Sequence, residues 1–493
     1  MSEQNLTIIP SAEIVPITEA VGLLIASLDS FLYALCDDSV PVSPVQLVTF
    51  RQAVAPTDQL EWLYGQQLFP RLFWMNREQD FAVAGVGEAD LIESQEMGDN
   101  AGGFDRFRDE VAGAAPAARY FGGFRFDSSE GECERWAPFA PFCFVLPLVQ
   151  LSMEQGAWFL SAHLLLRHDT VVESYEVMEL PERRLKRQLT RIDELRDALV
   201  AMQSEMPALR GVGAPVLPLL ETVSYHPDRL GWREVCSEAL EEFASGRMDK
   251  IMLARRTTLT FAAPFSPVLF LRDYPGSQNT TYRFFLELEP GHAFVCFTPE
   301  RLYRRRGREL MTEALAGTCP KESGCDPDAS DRLLNSEKDI REHNFVRMMI
   351  YDQLLPISEH IEMDEAAEVL QLHRLAHLYT RCVAQLKDDC VDDALILGRL
   401  HPTPAVGGVP REAALERIMT LEPFRRGWYA APVGWIGPDG AEFAVAIRSA
   451  LVEGAEALLY SGAGLVTGSD ADAEWEEISQ KIGDFMAITE QKR

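Results

Sequence analysis

The stretch RMDKIMLARR (Arg247–Arg256) sets Lys250 at the mouth of a run, Ile251 to Ala254, that has the apolar content of a strand entering a core. A lysine there is either an ordinary solvated charge at a strand entrance or a base held in a cleft. A free lysine is neutral only to about 0.04% at pH 7, so the second role needs burial or a nearby cation to lower its pKa. Further polar clusters fall at element ends, where sites are usually built. In CFTPERLYRR, Pro299 closes one strand and Glu300 precedes the next; SEKDIREHNFVRMMI carries Glu342 on a helix with Phe345, Val346, Met349 and Ile350 on its buried side. On the last helix Glu474, Glu477 and Lys481 stand at i, i+3 and i+7, on one face. Such a stripe is either a salt-bridged solvated face or part of a site.

Two other patterns point to less. His373 and His377 form an HxxxH pair without the glutamate of HExxH and with no grouped cysteine, which suits core histidines better than a metal centre. Gly462, Gly464 and Gly468 nearly spell a dinucleotide fingerprint, but the last gap is one residue too long. The 25 residues that follow cannot supply the strand and acidic ribose ligand. A glycine turn opening a helix can still present N–H groups to a carboxylate.

The elements that must position these residues follow from the pattern. Residues 1–70 read as helix-rich, with Val21–Cys36 an amphipathic helix interrupted by Asp29. Strand-turn-strand segments follow at 73–90, 119–127 and 143–166, then a helix over 179–209 and a linker, RGVGAPVLP. Beyond it the pattern predicts a helix closed by Gly246 and the Lys250 strand. Strands at 281–288, 293–297, 301–304 and 308–313 come next, with a long helix over 330–355 and a helix over 411–421. Strands over 432–436, 441–449 and 456–461 precede a last helix from 471. Strands grouped in hairpins rather than alternating with helices predict α+β, antiparallel sheets with helices packed around them. A net charge of −30 opposes a general nucleic-acid binder or a polybasic membrane-surface protein. The first basic residue is Arg51, so no secretory n-region is expected, and no membrane span. Nine scattered cysteines without a CxxC pair fit a reducing cytoplasm.

Taken in order, the blocks DKIMLARR, TPERLYRRRGRELMTEALAGT, SEKDIREHNFV, LHPTPAVGG, RGWYAAPVGW, EFAVAIRSALV and YSGAGLVTGSDADAEWEEISQK resemble the chorismate-utilising enzymes, and among them the isochorismate synthases. The resemblance is strong over about 222–488 and weak through the first half. It implies the fold of that family (the aminodeoxychorismate synthase-like fold), a first region over 1–215 and a chorismate-binding catalytic domain over 216–493. It also implies magnesium-dependent addition of water at C2 of chorismate with loss of the C4 hydroxyl. Lys250 matches the family's general base and Glu300 its general acid, a role that calls for a raised carboxyl pKa. Glu342 and Glu477 match the carboxylates that hold magnesium, with Glu474 contributing through water. Gly317 and Gly462 match places where backbone approaches substrate, and Ala405 and Val406 the wall flanking its ring. Arg448 and Lys481 would offset the anionic ligand.

Relatives that insert an amine carry glutamine at the Lys250 position or lysine at the Ala316 position, and neither stands here. A salicylate synthase, which also eliminates pyruvate, and a non-catalytic chorismate-binding protein or subunit are the alternatives. Ala431, where the family usually has glycine, and Thr298, for the common serine, are departures. The length of the first half favours menaquinone supply over siderophore or salicylate supply. The expected partner is the small molecule alone; oligomeric state is left open.

Overall fold

A computed structural model of the chain describes residues 6–36, 45–94, 118–127, 134–167, 181–202, 208–211, 213–275, 281–321, 327–372, 375–438 and 440–490. Its strands join into one hydrogen-bonded network, antiparallel except where Leu6–Ile8 runs parallel to Val45–Ala53. Two long strands, Phe81–Ser94 and Phe142–Glu154, pair along their whole length. On its other edge Phe142–Glu154 first meets Tyr120–Phe124 and then Ala157–Arg167, so two sheets diverge from it.

One branch passes through Arg71–Met75, Tyr282–Glu289, His292–Thr298, Ser449–Glu453 and Glu456–Val466 to Lys250–Phe261. The other runs from Tyr120–Phe124 through Pro432–Gly437, Gly440–Val445, Arg301–Arg306 and Glu309–Pro320 to Leu375–Leu386. The chain crosses between branches at two corners. Pro299 and Glu300 form one, and Ala446 to Arg448 the other. Their backbones are tied together: the Val445 N–H donates to the Glu300 carbonyl at 3.0 Å, and the Phe297 N–H to the Arg448 carbonyl at 3.1 Å.

The strands around these corners are buried on both faces: every residue of Glu456–Val466 after the first is buried, so EALLYSGAGLV shows no in-and-out alternation. The larger core cluster, with Trp428, Phe443 and Tyr460, lies under the site; a second joins Leu24, Phe50 and Leu160 of the first half to Phe261, Phe270 and Phe485 of the second, so both draw on the whole chain. Ile17–Cys36 is long and apolar enough to cross a membrane by length and composition. Its Ala20, Leu24, Leu28 and Phe31, spaced along one face, are buried in the second cluster. Cys143, Cys236, Cys296 and Cys382 are buried thiols.

Three expectations need correction. Residues 1–70 hold the strand Val45–Ala53 as well as the helices Ile17–Cys36 and Gln59–Gly65. The helix over 330–355 is two, Pro327–Leu334 and Glu337–Leu354, divided where the Ser336 hydroxyl accepts from the Asp339 N–H and caps the second. The strand over 441–449 ends at Val445 and restarts at Ser449, because Arg448 turns the corner at φ +51°. His373 lies outside the described residues.

Candidate active site

Where the two corners meet, the structure forms a cavity that opens to solvent, about 630 Å³ with its mouth included. Its walls include Glu300, Gly317, Glu342, Ala405, Val406, Arg448, Gly462 and Lys481. Lys250 stands just behind this wall. Its side chain is wholly buried, and Nζ donates to Glu342 Oε1 at 2.8 Å. Glu474 and Glu477 also lie outside the lining, on the helix Ala471–Lys481, which Asp470 caps by accepting from the Ala473 N–H.

Each functional side chain has a local reason for its place. Lys250 opens the strand Lys250–Phe261, fixed on one edge by Val466 and on the other by Val409. Glu342 reaches the sheet from the helix Glu337–Leu354 through a gap left by Gly464. A Cβ there would stand 2.7 Å from Glu342 Oε1. Gly317 sits at a bulge between Ala316 and Thr318 with φ +78°, which aims its carbonyl out of the ladder. The Gly462 carbonyl accepts from Lys481 Nζ at 3.0 Å. Arg448 holds a left-handed backbone that a long side chain rarely adopts, an outlier of the kind that gathers at sites.

The electrostatics separate the two carboxyls that face the cavity. Burial, with Glu313 nearby, pushes Glu300 up to about 8 against the pull of Lys250, Lys481 and Arg448. It therefore holds a proton at neutral pH. Burial also works against Glu342, but Lys250, Lys481 and Lys338 outweigh it and hold that carboxyl below its ordinary value. Arg448 Nη2 donates to His377 Nε2 at 2.8 Å, while His377 Nδ1 lies 3.0 Å from the Gly317 carbonyl. That pattern fixes the neutral tautomer with its proton on Nδ1, and burial, then Arg448, keeps the ring's pKa well below its usual value. Arg448 Nε is buried without a hydrogen-bond partner, a donor suited to an anion in the cavity.

Each of the three remaining candidate carboxylates is held by its own lysine. Besides the Lys250–Glu342 pair, Lys338 lies 2.8 Å from Glu474 and Lys481 2.7 Å from Glu477. Glu474 is 2% exposed, so it is no solvated face residue. Its Oε2 is buried and makes no hydrogen bond of acceptable geometry, although the Ser469 hydroxyl lies close enough to lower its carboxyl slightly against the raising effect of burial and of Glu477. Hard, anionic oxygen donors with one left unsatisfied are the donor set of a hard divalent cation. Among the described residues no three such ligands close on one point.

Sequence reasoning missed His377, Arg426 and Tyr429 as cavity residues. Arg426 donates to the Val406 carbonyl at 2.9 Å and the Met252 carbonyl at 2.8 Å, so it shapes the wall that Ala405 and Val406 form. Its signal was present, since it lies one residue before the RGWYAAPVGW block's glycine. His377 had none beyond the HxxxH spacing. Ala431 is buried and is not among the lining residues; the left-handed backbone falls on Ala430.

A family model described as chorismate binding enzyme matches residues 40–490. The chain belongs to the chorismate-binding enzyme family. It is 30% identical over 465 residues to the isochorismate synthase MenF of Bacillus subtilis, spanning 90% of this chain and 93% of that one. To the salicylate biosynthesis isochorismate synthase of Pseudomonas aeruginosa it is 34% identical, over 76% and 75% of the two chains. The solved structure of MenF, the menaquinone-specific isochorismate synthase from Escherichia coli, superposes with a TM-score of 0.77 at 27% identity, covering 95% of this chain and all of that one. Anthranilate synthase component I from Streptococcus pneumoniae shares the fold, at a TM-score of 0.60. The α+β architecture expected from the sequence is thus the chorismate-utilising fold.

Proposed function

We propose that this protein is an isochorismate synthase, an isomerase that adds water at C2 of chorismate as the C4 hydroxyl departs. The observation that carries the reading is the pairing of opposite proton states at one cavity: Glu300 keeps its proton at neutral pH, and Glu342, bonded to Lys250, does not. A buried carboxyl kept protonated is equipped to act as an acid, and the ionised Glu342 fixes Lys250 Nζ at the edge of the same cavity.

Lys250 is the base. Its nitrogen takes a proton from water as the oxygen bonds to C2, the ring double bonds shift, and Glu300 gives its proton to the departing C4 hydroxyl, which leaves as water. One water enters and one leaves, so the reaction is an isomerisation. Arg448 and Lys481 bind the substrate's carboxylates, with His377 holding the Arg448 guanidinium in place. Gly317, Ala405, Val406 and Gly462 bound the ring without polar side chains to trap it. Glu342 and Glu477, with Glu474 through water, are the groups that would hold magnesium, and their chemistry fits it. When bound, the ion neutralises the ring carboxylate in a protein of net charge −30.

Menaquinone supply is the reading we favour on length, since the match to Bacillus subtilis MenF runs nearly end to end, over 90% of this chain and 93% of that one. The test is product analysis by HPLC or NMR with chorismate and magnesium. Isochorismate approaching an equilibrium mixture is expected. Pyruvate released in step with chorismate loss, read through lactate dehydrogenase, would instead assign a salicylate synthase.

A further inference from the structure

The corner that carries Glu300 is gripped from both sides by residues outside the cavity. Arg77 stands in the turn between the strands Arg71–Met75 and Phe81–Ser94, 222 positions before Pro299. Its Nη1 donates to the Pro299 carbonyl at 2.8 Å. The same guanidinium forks onto Glu313, Nη1 to Oε1 at 2.7 Å and Nη2 to Oε2 at 2.8 Å. Glu313 Oε1 accepts in turn from the Arg301 N–H at 3.1 Å. The peptide groups before and after Glu300 are therefore both tied to one ion pair, whose carboxylate is fully buried and whose guanidinium is 11% exposed. A bidentate guanidinium–carboxylate pair fixes direction as well as distance.

We propose that Arg77 and Glu313 are positioning residues for the acid, a clamp in which the first half of the chain orients Glu300 toward the substrate and sets the charge beside it. The inference rests on the reading of Glu300 as the general acid. Energetics agree with the geometry. After burial, Glu313 is the largest influence keeping the proton on Glu300. The other groups facing Glu300 are Lys250, Lys481 and Arg448, which favour its ionised form, and Tyr429. Facing Glu313 are Arg77, Arg301 and Tyr379. A network inserted only for stability would have no reason to place a carboxylate next to a proton donor.

The two members act on Glu300 with opposite sign, and that separates the clamp from a structural ion pair. Glu313→Gln keeps size and an acceptor oxygen, removes the negative neighbour and leaves the charge of Arg77 uncompensated. The alkaline limb of kcat should move to lower pH by about one unit, with KM for chorismate within about twofold of wild type. Arg77→Met removes the cation and the donor to Pro299: the limb should move to higher pH, and kcat should fall about tenfold as the acid loses its orientation. The double variant should return the limb toward its wild-type position. Arg77→Lys keeps the charge without the fork, so kcat should fall while the limb stays in place.

Circular dichroism and melting curves establish which variants are folded. If Arg77→Met is not, Glu313→Gln and Arg77→Lys decide between them. Limbs that stay fixed in Glu313→Gln, or that move in the same direction in Glu313→Gln and Arg77→Met, overturn the clamp. Glu300→Gln separates the two levels of the claim. If that variant keeps the alkaline limb, Glu300 is not the acid and the site assignment falls. If it loses the limb while the clamp variants leave it untouched, only the clamp falls.

Discussion

Two regions of this molecule bury charge, and they do it in opposite ways. On the second sheet branch, in the strand Arg301–Arg306, Arg305 donates through Nε and Nη2 to both oxygens of Asp393 at 2.8 and 2.5 Å, and the Tyr303 hydroxyl donates to the same carboxylate at 3.0 Å. Arg305 Nη1 finishes on the Gly307 carbonyl. Charge is matched and both carboxylate oxygens are satisfied. Around the cavity, Glu300 faces another carboxylate, and Arg448 Nε is buried without a hydrogen-bond partner. Burial of charge alone does not mark a site. Buried charge left incomplete around a cavity does, because polar groups unsatisfied in the resting protein are the ones a ligand can satisfy.

The comparison breaks most visibly if the cavity residues turn out to matter for folding rather than turnover. Lys250→Ala should reduce turnover by about 10²–10⁴-fold, the usual weight of a general base. Chorismate binding should survive, since Arg448 and Lys481 hold the carboxylates. Calorimetry and product assays on one preparation check both halves, and near-normal turnover would return Lys250 to a strand-entrance role. Asp393→Ala should do the reverse. It strands a buried guanidinium, with an expected loss of about 3–5 kcal/mol in urea unfolding, while kcat per folded molecule stays within about twofold. A large fall in kcat with unchanged stability would mean that the closed pair is part of the site after all.

The carboxylates held by lysines should fall between these extremes. Glu342→Gln and Glu477→Gln each remove one anionic oxygen from the donor set of a hard cation, so magnesium binding should weaken by at least about tenfold with the melting temperature little changed. Calorimetric titration with magnesium alone reads this without turnover. Wild-type affinity in either variant would make that residue an ordinary partner of its lysine.

How much of this was legible in the sequence depends on the range over which each feature is encoded. Lys250, Glu300, Glu342 and Glu477 sit in short blocks whose residue types and order carry their own meaning, and the strands around Lys250 and Glu300 and the helices bearing Glu342 and Glu477 follow from apolar runs and spacing. The break at Ala446 to Arg448 was not legible. EFAVAIRSAL alternates like a single strand, and an arginine at φ +51° has no sequence signature when glycine is the residue expected there. Lys250 standing behind Glu342 rather than on the cavity wall is a matter of side-chain packing between a strand and a helix 92 positions away. Arg77 is the extreme case. Its partners lie 222 and 236 positions downstream, and nothing in a turn reading MNREQD says which sheet corner it will meet.

The smallest expected effect bears on the same contrast through stability. In the folded protein Glu300 binds its proton up to about pH 8, against an ordinary value of 4.5. A carboxyl whose folded pKa lies above its unfolded value adds stability that is fully present below 4.5 and is lost as pH rises toward 8, at about 1.4 kcal/mol per pH unit. Over that window the wild type should therefore lose stability that Glu300→Gln does not, because an amide has no proton to release. The variant should gain on the wild type by about 2 kcal/mol between pH 4.5 and 6, and the gap should widen up to pH 8 and then level off. Asp393→Ala should show no such widening, since removing a member of a closed pair costs much the same across the range. Urea titrations of the three proteins at pH 5, 6, 7 and 8 test this. Parallel stability curves for wild type and Glu300→Gln would mean that Glu300 is ionised in the folded protein, leaving the cavity without its proton donor.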